Sequence, residues 1–262
     1  MKTTYSIFTL ALCTLVHFSI FGQEPLTKDF RYKDSVNFEV KIDPDFFLLG
    51  TFSDYMGRFA YINRGTQVDR YYPYEESLAK YIADFIEERY DIKVDTQLIP
   101  SRNIEIFSRS IAAKLHSYYD DKGILKEDIF DNEEKMYSFL TGTLLRYGEN
   151  IFDNIFFISV SNSPKRNQIY ELLKTLECNK IIYKDYRGNI PNVTKFYFEA
   201  SPRIIKYFNV IRNENMSIRA EYENTIKKML DAADNKAFEE TKQKLDAQNK
   251  ELENSIKAIF KM

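Results

Sequence analysis

Apolar and polar positions alternate from Val36 to Ile42, with Val36, Phe38, Val40 and Ile42 on one side, the period of a half-buried strand. Asp43-Pro44-Asp45 then reads as a turn. "FFLLGTF" and "MGRFAYI" predict two more strands joined through Ser53-Asp54-Tyr55, a hairpin with Gly57 at a bulge. From Tyr71 the period lengthens. Leu78, Ile82, Phe85 and Ile86 recur at helical spacing, with Lys80, Asp84 and Glu88 opposite them. "IKVDTQL" alternates and predicts a strand. Ser101 is placed to cap a helix through Ile104, Phe107, Ile111, Leu115 and Tyr118. Lys122-Gly123 breaks the chain. Asp131, with Glu134 three residues on, opens another helix whose inner face is Met136, Phe139, Leu140 and Leu144, and Gly148 stops it.

The second half opens with "NIFFISVS", an unbroken apolar run that fits a strand buried on both faces. Ser163-Pro164 starts a helix carrying Ile169, Leu172, Leu173 and Leu176. "KIIYK" and "VTKFYFEA" are strands around the turn "DYRGNIPN", and Ser201-Pro202 starts a helix with Ile204, Ile205 and Phe208. Strand, Ser-Pro and helix thus follow one another twice, too briefly to make a repeat. The pattern predicts an α+β fold in which helices pack on one mixed β-sheet.

After Asn213 the chain has no Gly or Pro and is dense in Glu, Lys, Ala and Gln. Phe238, Leu245, Leu252 and Ile259 recur every seven residues, with Asn249 and Ile256 between them. A long C-terminal helix or a helical hairpin is expected. It would pack on the domain, or mediate self-association or a protein partner through residues 214–262.

At the other end, Lys2 precedes an apolar run from Ile7 to Phe21 that closes at Gly22. This is the order of a secretory signal, and the run is shorter than the roughly 20 residues that span a bilayer. The organisation expected is a signal peptide over 1–22, an α+β domain over 23–212 and a charged helical tail over 213–262. The mature protein would then be exported to the periplasm or the medium, with no transmembrane span.

Charge and residue counts narrow the chemistry. Lys and Arg number 37 against 39 Asp and Glu, so no basic excess argues for nucleic acid, and none is expected as a partner. With Cys13 and His17 in the signal, Cys178 and His116 remain. No intramolecular disulfide and no Cys/His zinc site can form within one chain, and a histidine-dependent nucleophile would have to use His116. "YYDDKGILKEDI" fails as a calcium loop, because Tyr118, Lys122 and Ile129 would fall on ligand positions. No metal or cofactor is expected.

Two groups of residues are candidates for binding. Lys165, Arg166 and Arg203 stand in the first turns of the two Ser-Pro helices, where acidic residues would suit the helix dipole better. With Ser163 and Ser201 they suggest an anion site; plain capping is the structural alternative. Arg58, Arg64, Arg70 and Tyr72, among Tyr71 and Tyr74, form a basic aromatic strip suited to a binding surface, or else an aromatic cluster under the first helix. These features point to an exported, non-catalytic binding or assembly protein that recognises a protein partner or small ligand. The alternatives are a carboxylate-based hydrolase of extracellular polymers, with two distant acids, or a binder of small anions or metabolites.

Overall fold

The structure, a computed structural model, describes residues 39–99, 103–187, 191–231, 250, 254 and 256–260. Within these residues the chain is α+β, as expected, but it begins differently. Of the expected strand hairpin, the first arm is helix α1 (Pro44–Thr51) and the second, 56–62, holds a short 3-10 turn at Arg58–Ala60 in place of a strand; Glu39–Asp43 carries no strand either. Asp43 caps α1 by accepting a hydrogen bond from the Phe46 N–H, and Pro44 fills the first turn, where its missing N–H costs nothing. Every residue from Asp45 to Thr51 is buried. A helix covered on all sides has an unbroken apolar run, and so does a buried strand, which is why periodicity could not separate them.

The elements that follow are β1 (Gln67–Tyr71), α2 (Glu76–Tyr90), β2 (Asp95–Leu98), β3 (Ile104–Phe107) and α3 (Arg109–His116). The helix expected from Ser101 is therefore a strand up to Phe107 and a helix from Arg109. Next come α4 (Glu133–Tyr147), β4 (Gly148–Phe152), β5 (Ile155–Ser161), α5 (Arg166–Thr175), β6 (Asn179–Tyr186), β7 (Val193–Glu199) and α6 (Pro202–Val210). Helix α7 spans Arg212–Asp231.

Instead of one mixed sheet there are two antiparallel ones, ordered β1-β3-β2 and β4-β5-β7-β6. The two halves share a plan. Helix α1 leads to β1, α2, β2, β3 and α3; helix α4 leads to β4, then β5, α5, β6, β7 and α6. In each half the last strand lies between the two before it, so β1-β3-β2 matches β5-β7-β6. The sequence keeps a trace of this duplication. Phe47-Leu48-Leu49-Gly50-Thr51-Phe52-Ser53-Asp54-Tyr55 and Phe139-Leu140-Thr141-Gly142-Thr143-Leu144-Leu145-Arg146-Tyr147 share Phe, Leu, Gly, Thr and Tyr at the same places.

The glycines of that shared segment form the seam between the halves. A Cβ on Gly142 would stand 1.9 Å from the Phe47 carbonyl oxygen, and one on Gly50 2.1 Å from that of Phe139. Helices α1 and α4 therefore cross backbone to backbone. Thr143 Oγ1 adds bonds to the carbonyls of Phe139 and Gly50, at 2.8 and 3.4 Å.

Strand β5 shows how the second sheet is covered. Phe156, Ile158 and Val160 face the main core with Phe196 and Phe198 of β7. Ile155 and Phe157, on the other face with Tyr197, pack against Ile256 and Phe260. Burial on both faces is thus achieved, the outer one by the C-terminal segment. No long C-terminal helix is evident among the described residues. Phe238, Leu245, Asn249 and Leu252 lie outside them, as does the 1–22 segment. Ile256 is buried on the sheet and Ile259 is exposed. No helix of the described residues is long and apolar enough to cross a membrane.

Candidate functional site

At the C-terminal ends of α1 and α4 the chain places a buried ionic network. Asp69 of β1 accepts hydrogen bonds from Arg58 Nη1 at 2.6 Å and Arg146 Nη1 at 2.7 Å. Arg146 also reaches both Glu75 carboxylate oxygens at 2.9 Å and the carbonyls of Thr51 and Arg70, each at 2.9 Å. It thereby ties α4 to α1, to β1 and to the short turn before α2. Burial would raise the Asp69 pKa, but the two guanidiniums and their hydrogen bonds prevail and hold it below the usual carboxylate value.

Arg58 is fully buried. Besides Asp69 it donates to the carbonyls of Ser53 and Val68, and its Nη2 lies 3.3 Å from His116 Nε2. Since Arg58 can only donate, Nε2 accepts, and Nδ1–H donates to the Arg64 carbonyl at 3.2 Å. His116 is therefore neutral. Burial and the Arg58 charge push its pKa down to about 4. An unfolded histidine takes a proton near pH 6.5, so the unfolded state binds more protons than the folded state between these values. Stability is expected to fall by about 1–3 kcal/mol, less than the full shift because solvent screens part of it, as pH drops from about 6.5 to about 4. Urea midpoints across that window check this, and His116→Gln should flatten the decline.

Lys165 serves the seam. Its ammonium donates to the carbonyls of Leu49, Gly50 and Phe52 at 3.0, 3.0 and 2.7 Å, capping the end of α1. Burial pushes its pKa down to about 8, while Asp54 and Asp69 hold it up. Asp54 accepts from Ser163 Oγ at 2.6 Å and from the Lys165 N–H at 3.3 Å.

The expected anion site is not assembled. Strands β5 and β7 are antiparallel, with Ser161 beside Val193 and Ile155 beside Glu199. Their C-terminal ends, and so Ser163 and Ser201, lie at opposite ends of the sheet. Lys165 is occupied by carbonyls, Arg166 is exposed on the first turn of α5, and Arg203 pairs with Glu133. Ser201 sits at the N-cap of α6 with its hydroxyl buried and without a partner among the described residues.

The basic aromatic strip divides. Arg58 belongs to the buried network. Arg64 lies over the Phe59 ring at 3.7 Å and donates to the Asp121 carbonyl. Arg70 stands over Tyr61 at 4.8 Å, Tyr55 lies 6.1 Å from Tyr61, and the half-buried Tyr72 stacks on Tyr74 at 5.3 Å.

Beside this strip, over the ends of α1 and α4, lies a cavity of about 100 Å³. Its walls include Tyr55, Tyr72, Glu75, Arg146, Tyr147 and Glu149, with Ser159 and Ser161 of β5 and Arg219 and Tyr222 of α7. Asp69, Arg146, Glu149 and the two β5 serines were not singled out from the sequence. The Phe-Leu-x-Gly-Thr echo would have pointed to Asp54 and Arg146, which hold the same place in the two halves. Among the described residues no group of three or more His, Cys, Asp or Glu side chains is arranged to hold a metal ion.

No family model and no curated protein matches the chain. Among solved structures it is similar to the crystal structure of I-DmoI in complex with DNA and manganese. That match has 17% identity and a TM-score of 0.43, and covers 63% of this chain and 94% of the other. A structure of mesophilic variants of the homing endonuclease I-DmoI follows at 16% identity and a TM-score of 0.41, covering 65% and 95%. A variant of I-DmoI with its target DNA and manganese has 16% identity and a TM-score of 0.41, covering 64% and 92%. At these TM-scores the likeness assigns no activity to this chain. Two of these structures are complexes with DNA, whereas the sequence led to the expectation of an exported, periplasmic or extracellular, non-catalytic binding protein without a nucleic-acid partner. That expectation is withdrawn together with its two alternatives. It rested on an N-terminal pattern outside the described residues and on a whole-chain charge count, which is blind to recognition by stacked rings.

Proposed function

We propose that the chain is a nucleic-acid-binding protein that holds a strand through its bases rather than its phosphates. The observation that carries this is the strip beside the cavity. Tyr61, 47% exposed, lies under Arg70 and next to Tyr55, and the half-buried Tyr72 is backed by the buried Tyr74, whose ring centroid is 5.3 Å away. Stacking of a base on an aromatic side chain contributes about 1–3 kcal/mol and tolerates any sequence. Arg70 adds a cation that can stack as well. Arg58 and Arg146, the cations behind the strip, are held in buried ion pairs, so few phosphate contacts are on offer there and affinity should depend only weakly on salt.

The test is titration of the full chain with a single-stranded oligonucleotide about 12 nucleotides long. Affinity should change less than about tenfold between about 50 and 200 mM salt. Tyr61→Ala and Arg70→Ala should each weaken binding by about five- to one-hundredfold. Absence of binding by the unmodified protein, or variants that bind equally well, would refute the proposal.

A further inference from the structure

The cavity has a property that the strip alone does not explain. The outer face of β5 runs Ile155, Phe157, Ser159, Ser161. Its apolar half is covered by Ile256 and Phe260, whereas its hydroxyl half opens into the cavity. Glu149 lies opposite Phe157 on the neighbouring strand β4 and lines the same space. Ser159, Ser161 and Glu149 are part-exposed where they line the cavity. Their polar atoms are therefore open to hydrogen-bond with whatever enters it, and a few such groups on an otherwise largely aromatic lining are the make-up of a ligand site.

The volume, about 100 Å³, is below the roughly 150 Å³ that encloses a benzene ring, but the cavity is open to solvent, so a planar base can enter it by one edge. Tyr72, Tyr147 and Tyr222 line it beside these polar groups. Resting on the binding function above, we propose that this cavity receives a single unstacked nucleobase, whose hydrogen-bonding edge meets Glu149, Ser159 and Ser161. Extruding a base from a strand costs least where that strand is already single.

The acid makes the choice of base dependent on pH. Burial pushes the Glu149 pKa up to about 7; Arg219 opposes the shift and Glu223 adds to it. Glu75 and Arg146, also at the cavity wall, are paired with each other. A neutral carboxyl offers one acceptor and one donor. It matches the amino group and ring nitrogen of adenine or cytosine. An ionised carboxylate offers two acceptors and matches the two adjacent N–H donors of guanine.

Adenosine and guanosine, titrated into the full chain at about pH 6 and about pH 8, test this. Adenosine should bind at least about tenfold tighter than guanosine at the lower pH, with the order reversed at the higher. Glu149→Gln carries the donor and acceptor of the neutral acid at any pH and should keep the adenosine preference at both. Ser159→Ala with Ser161→Ala should weaken both nucleosides about tenfold. A thermal melt of each variant confirms the fold. A Glu149→Gln protein indistinguishable from the unmodified one at both pH values, or no nucleoside binding, overturns the base pocket even if the oligonucleotide binds. Nucleosides bound in this pattern without any oligonucleotide binding uphold the pocket for free nucleosides and overturn the strip.

Discussion

Replacing Arg146 with methionine should lower the unfolding free energy by about 3–5 kcal/mol, the range for breaking a buried ion pair from one side. The guanidinium bonds both acids of the network, Asp69 and Glu75, and two backbone carbonyls. Methionine fills a similar volume but leaves Glu75 without its cation and Asp69 with Arg58 alone. Since domains of this kind are stable by only about 5–15 kcal/mol, the loss is a large share of the total. Arg146→Met with Glu75→Gln should recover part of it, because the second change removes a stranded charge. Urea unfolding of the three proteins measures both effects; a loss below about 1 kcal/mol for Arg146→Met would mean the network is open to water. The pH sign follows from the depressed Asp69 pKa. Its contribution is intact above the ordinary carboxylate range and disappears as pH falls through the lower folded value.

The helix seam should be equally intolerant. Gly142→Ala places a methyl group 1.9 Å from the Phe47 carbonyl oxygen, and the obstacle is backbone, which cannot rotate away. Helices α1 and α4 would have to separate, at a cost of about 3 kcal/mol or more. Gly50→Ala meets Phe139 O at 2.1 Å and should behave alike. Gly65→Ala is the control, since its nearest neighbour is the Asn63 side chain at 3.3 Å. Thermal melts of the three variants decide the matter, and equal mild shifts would refute the close crossing. Arg146 and Tyr147 follow Gly142 by one turn, so separation of the helices should also widen the cavity and weaken oligonucleotide binding.

The chain's own pattern carried much of the architecture. Helix α2 was legible from Leu78, Ile82 and Ile86. Helix α4 was legible from its polar start before Met136 and its stop at Gly148. Strand β5 was legible from its unbroken apolar run, and the helices after Ser163-Pro164 and Ser201-Pro202 from their Ser-Pro starts, although Lys165 holds the cap position of α5 and the Ser201 hydroxyl makes no capping bond. These are local signals, set by backbone hydrogen bonding within a few residues and by which side chains alternate. The duplication leaves a trace in the Phe-Leu-x-Gly-Thr segment and its trailing Tyr, but the sequence pattern alone does not reveal it, because one copy reads as a strand and the other as a helix, and a buried helix and a buried strand look alike over so short a run.

Fold class, several of the helices and the absence of a basic surplus were therefore determined by the sequence. The tertiary structure decided the rest. It turned Phe46–Thr51 into a helix by packing it against α4 through two glycines. It consumed Arg58 and Lys165, two apparent binding residues, in buried bonds to Asp69 and to the end of α1. It set Ser163 and Ser201 at opposite ends of an antiparallel sheet and brought Glu149, Ser159 and Ser161 to one wall. The physical reason is distance along the chain. A charge's role depends on partners many residues away, and no local pattern records which of them will share its low-dielectric surroundings.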